Sequence, residues 1–191
     1  MTPIIPSLAA TVASLRQRLS DCARDDRGVS AVEFALVLPL MVTLYLGGVE
    51  VSQGLTIDRK VTLAARTITD LAARTDKIPE GEMTNILNAS KAVLLPYSTA
   101  NAKVTISQVL IDDNGNATID WSVSKNGTVR AKGSTVTLPS ALKVKGALIW
   151  GEVSYDYKPV IGYVITGTMT LSDQIYMRPR KSDSGVQYPA S

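Results

Sequence analysis

The sequence has no histidine and a single cysteine, Cys22. Without histidine, the chain lacks the side chain best suited to proton transfer near neutrality and the commonest transition-metal ligand. One cysteine allows no disulfide within the chain and no cysteine-based zinc site. Aromatics are sparse, at 5% of residues with one phenylalanine. An excess of either charge is also missing: 20 Lys and Arg against 17 Asp and Glu leave +3. The cations are scattered rather than striped among aromatics, which argues against nucleic-acid binding. Ser–Lys or paired-carboxylate chemistry survives these cuts, but no nucleophile motif supports it. The chain is expected to be no enzyme and to hold no cofactor or metal.

What is present is one long apolar run. After Arg27 the chain reads GVSAVEFALVLPLMVTLYLGGVE, ending at Glu50. As a helix rising about 1.5 Å per residue, Val29 to Val49 covers roughly 31 Å, close to the thickness of a bilayer's hydrocarbon. Residues 1–28 form a polar leader in which Arg16, Arg18, Arg24 and Arg27 face Asp21, Asp25 and Asp26. Within it, Ile4 to Leu15 is short, broken by Pro6 and without a basic start, so it makes a poor secretory signal. Asp21 before Cys22, with no apolar core leading into it, makes a poor lipidation site. Arginines ahead of the span, counted without the acids, orient the N-terminus to the cytoplasm and the bulk of the chain outside it.

Past Glu50, Leu55, Ile57, Val61, Ala64, Ile68, Leu71 and Ala72 recur mostly at steps of three and four between charged residues. This predicts one helix from about Ser30 to about Thr75, apolar all round at first and one-sided later. Pro79 and Gly81 break it, and a second helix is expected from about Glu80 to Leu95. From Lys103 the period becomes two. Strands are expected around Val104–Leu110, at Ile119, Trp121 and Val123, from Thr128 to Leu138 after an Asn126-Gly127 hairpin, at Leu148–Tyr157 and at Met169–Met177. The resulting layout is α+β: leader 1–28, transmembrane helix 29–49, amphipathic continuation 50–78, periplasmic α+β domain 79–178, and a polar, loose tail 179–191. The small antiparallel sheet needs one face covered, and the amphipathic helix is its expected cover.

Several positions invite chemistry. DDNGNATID places Asp112, Asn114, Asn116 and Asp120 like calcium-loop ligands. However, the sixth and twelfth positions, where an EF-hand has Gly and Glu, are Ala117 and Val123; the stretch therefore reads as a turn. Pro39 removes one helical hydrogen bond inside the span, and is read as a kink or a tolerated membrane proline. A carboxylate within a span costs about 2.5–3.5 kcal/mol at the bilayer centre. Glu33, roughly 6 Å from Val29 along a helix, either reaches the interface or meets a positive partner. A free amine at Val29, made by cleavage after Gly28, would be such a partner.

Gly28, then VSAVE with Glu33 fifth after the glycine, then the apolar helix, resembles the type IV prepilin cleavage site. GVSAVEFALVLPL followed by GGVE resembles the TadE/TadF-like minor pilins or pseudopilins of the tight-adherence (Tad, Flp) pilus system of bacteria, from about Arg27 to Arg74. The resemblance implies that a prepilin peptidase cuts after Gly28 on the cytoplasmic face. Val29 becomes the mature N-terminus, and Glu33 contacts that amine in its own or a neighbouring subunit. The implied partners are the peptidase, other pilins of the system and inner-membrane lipid. The implied location is the inner membrane, with entry into the extracellular pilus. The competing reading is an uncleaved single-pass anchor whose periplasmic domain binds a ligand or the cell wall.

Overall fold

The computed structural model describes residues 16–17, 20, 26–159, 162 and 165–189. Most of the expected leader, with Cys22 and the run from Ile4 to Leu15, lies outside the described residues. The chain divides into two units, Met1–Gly47 and Gly48–Ser191. Helix α1, Asp26–Ala73, begins in the first unit and opens the second. It starts one turn before Ser30, so Gly28 and Val29 are both helical.

In the second unit α1 is followed by α2, Glu80–Leu94, and by five strands. These are β1 (Ala102–Ile111), β2 (Ala117–Lys125), β3 (Thr135–Val136), β4 (Gly146–Tyr157) and β5 (Met169–Met177). All pairs are antiparallel, in the order β3-β2-β1-β4-β5. The α+β architecture is the expected one.

The helical period explains the main core. Ile57, Val61, Ala64, Ile68 and Ala72 lie at steps of three and four and are all buried. Leu55, expected among them, falls off this stripe and is exposed. The stripe packs on the inner face of the sheet against Val104, Ile106, Val153 and Tyr155. The approach is close at Gly151, where a Cβ would lie 1.9 Å from Thr69 Oγ1. From α1, Lys60 Nζ donates to the carbonyls of Val93 (3.0 Å) and Leu95 (2.7 Å), satisfying the C-terminal end of α2.

The sheet also carries a smaller core on its outer face. Val109, Ile111, Ile119, Leu138 and Leu148 are buried there. Ile119 was expected to share a face with Trp121 and Val123. Instead the β1 register skips Asp120, since Gln108 pairs with Trp121 and Val109 with Ile119. This bulge turns Ile119 outward while Trp121 stays in the main core. The Asp112 turn is as expected: Asp112 Oδ1 accepts from the backbone of Asn114 (2.9 Å) and Asn116 (2.8 Å), and Gly115 has φ +78°.

Two further expectations fail. Thr128–Leu138 is not one strand, because only Thr135–Val136 pairs with β2. Asn126 does take positive φ, at 57°. The following chain then leaves the ladder, and Arg130 N donates to the Ser122 hydroxyl instead. Nor is the tail loose. Gln187 exchanges backbone hydrogen bonds with Asp76 (2.8 Å) and Ile78 (2.9 Å), and Val186 is 1% exposed. Trp121 Nε1 donates to the Val186 carbonyl at 2.9 Å, and Val186 N to Gln108 Oε1 at 2.6 Å.

Candidate functional site

The sequence pointed to Gly28, Val29, Glu33 and Pro39, and all four lie on α1 in the first unit. Gly28 has open space around it, with nothing within 4 Å of an added Cβ. Val29 is 57% exposed, and Glu33 is exposed as well. Four residues apart on a helix, they lie one turn apart on one face. Glu33 makes no ion pair or side-chain hydrogen bond among the described residues. Pro39 sits inside the helix, and its carbonyl accepts from Thr43 Oγ1 at 2.8 Å.

Around these residues the apolar side chains have no cover. Val32, Phe34, Leu36, Leu40 and Leu44 are all exposed. The most apolar 18-residue stretch of this helix has a mean hydropathy of 2.0, and none of it is buried. The helix is thus long and apolar enough to anchor the chain in a membrane. Within such an anchor every backbone group except those near Pro39 is satisfied inside the helix.

In the second unit the first turns of α1 carry a residue to which the sequence reading gave no role. Glu50 is 1% exposed. Its Oε2 accepts from Ile165 N at 2.8 Å, and its carbonyl accepts from Tyr157 Oη at 3.3 Å. Burial, and secondarily the Glu50 charge, push the Tyr157 phenol above its ordinary pKa. Tyr157 also packs at Gly54, where an added Cβ would meet its ring at 3.5 Å. A signal for Glu50 was available. Positions 50, 54, 57, 61, 64, 68 and 72 follow one another at steps of three and four, and all are buried. Glu50 is therefore a carboxylate at the head of a core stripe.

Comparison with known proteins shows that residues 28–70 fit the family model described as TadE-like protein. The matched segment contains Gly28, Val29, Glu33, Pro39 and Glu50, and falls well short of half the chain. No curated protein and no solved structure matches.

Proposed function

We propose, starting from a chain that is TadE-like over residues 28–70 and so related to the Tad pilus, that it acts as a minor pilin or pseudopilin in pilus assembly. It is held in the bacterial inner membrane by α1, with its second unit on the periplasmic side. Prepilin peptidase cuts after Gly28, and the mature helix packs against those of other pilins. Its chemistry is assembly rather than catalysis. The observation that carries this reading is the apolar stretch of α1 from Val29 to Val49, whose most apolar 18 residues are uncovered and whose one carboxylate, Glu33, just past Gly28, has no partner among the described residues. Burying a lone carboxylate among neighbouring helices is costly, and a new amine at Val29 offsets that cost.

Mass spectrometry of the N-terminus tests it. A chain starting at Val29 is the expected result, and an intact leader in cells with active peptidase sinks the reading. Gly28→Ala should block processing more than Glu33→Ala does, whereas Glu33→Ala should impair piliation. Normal piliation by both variants contradicts the assigned roles. One observation favours the competing uncleaved anchor: α1 already runs through the Gly28–Val29 bond. The same spectrum separates the two readings.

A further inference from the structure

The outer face of the sheet changes character along its strands. At one end lies the small apolar core. At the other, the facing residues run Gln174–Glu152–Thr105 and Ser172–Ser154–Lys103 across β5, β4 and β1. These border a cleft of about 840 Å³, also lined by the chain from Asn126 to Arg130. Its volume suits a small-molecule site, but its walls are polar where most such sites are apolar.

The cleft is held in shape. Arg130 lies 3.8 Å over the Trp150 ring and pairs with Glu152 through both terminal nitrogens, at 2.9 Å for Nη2 to Oε1. Thr105 and Ser124 bond through their hydroxyls at 2.8 Å. At Gly127 a Cβ would lie 3.2 Å from Thr105 Oγ1, so the wall approaches the floor closely.

Its chemistry selects a ligand class. Lys103 and Arg130 stand against Glu152 and Asp173, which leaves no net charge. Both cations are already engaged, Lys103 with Asp156 at 2.9 Å and Arg130 with Glu152. A phosphate or an acidic chain would have to break those pairs. The floor strands β1 and β4 each pair on both sides, and the free edge of β5 lies in the plane of the sheet rather than over its face, so a peptide lying in the cleft gains no strand pairing. What remains is a set of side chains that both donate and accept: Thr105, Thr128, Ser154, Ser172, Asn126 and Gln174. The complement is an uncharged molecule dense in groups that also do both, such as the hydroxyls of a sugar. We propose that this cleft binds a neutral oligosaccharide.

The test uses the full chain in a polyoxyethylene detergent, because maltoside detergents carry the ligand chemistry. Saturation-transfer NMR is run with neutral tetrasaccharides of glucose, galactose, mannose and N-acetylglucosamine, and with tetraglycine as the peptide comparison. At least one sugar should show saturable transfer at millimolar concentration or below. Ser172→Leu, which fills the cleft from an exposed position, and Gln174→Ala should each weaken it about tenfold, near 1.4 kcal/mol. Lys145→Ala, in a separate ion pair with Asp113, should leave it unchanged. No saturable transfer from any sugar, transfer indifferent to both cleft variants, or tetraglycine binding in place of the sugars overturns the proposal. Outcomes at this cleft are independent of whether Gly28 is the cut site.

Discussion

Glu50 occupies a place in the helical stripe that an aliphatic residue would normally fill, and its oxygen holds the backbone N–H of a residue 115 positions away. Removing that oxygen leaves a part-buried donor without its acceptor, which costs about 1–3 kcal/mol. Glu50→Ala should therefore lower the unfolding free energy of the second unit by that amount. Glu50→Gln, which keeps an acceptor oxygen, should lower it less. Denaturant titration followed by near-ultraviolet circular dichroism measures both, and equal losses would show that the oxygen is not what matters. The same residue shows what a sequence conceals. Gly28, Val29 and Glu33 were legible because their meaning lies in spacing along one helix. Glu50 was visible as a residue, but its partner Ile165 comes from the distant β4–β5 connection, and no local pattern announces that pairing.

At the level of elements, α1 and the sheet meet through small residues. Thr69 is buried, and its hydroxyl is committed to the Ala65 carbonyl at 2.6 Å. Gly151→Ala would drive a methyl onto that oxygen, and rotating Thr69 away sacrifices its bond and its rotamer. Such overpacking costs about 1–3 kcal/mol. Combining it with Thr69→Ala should recover part of the loss, so a double-mutant cycle is expected to give a coupling above about 0.5 kcal/mol. Additive effects would mean that helix and strand do not press together there. Both helices were readable because a buried stripe of period three to four extends over many residues. The sheet was readable in part. Alternation located β4 and β5, whereas the Asp120 bulge put Ile119 and Trp121 on opposite faces. Asn126-Gly127 supplied the expected positive φ without the expected strand, since Ser122 captures Arg130 N and draws that segment over the outer face.

Across the whole molecule, the least legible feature is the closing segment. Ser, Asp, Gly and Gln compose a loose tail by propensity. Yet backbone bonds to Asp76 and Ile78, and the side chains of Gln108 and Trp121, hold Val186 and Gln187 to the main core. Backbone partners have no signature in composition. A property of the second unit that solution conditions can probe is alkaline stability. Tyr155, Tyr157 and Tyr176 all have phenols pushed above the ordinary value, in each case first by burial. An unfolded tyrosine titrates near pH 10. Below that pH both states keep these protons and the folded state retains its full stability. Above it the unfolded state loses them first, so stability falls until the folded phenols also ionise. Each tyrosine can contribute a slope of up to about 1.4 kcal/mol per pH unit. Lys125 opposes this trend: contact with Lys91, then burial, lower its pKa, so the unfolded state holds that proton longer. Three tyrosines against one lysine leave a net loss. Unfolding free energy measured from about pH 9 to 11, with phenolate absorbance followed in parallel, should therefore decline, and Tyr157→Phe should flatten the decline. A profile that stays level, or that Tyr157→Phe leaves unaltered, would show that these rings ionise as freely in the folded protein as in the unfolded chain.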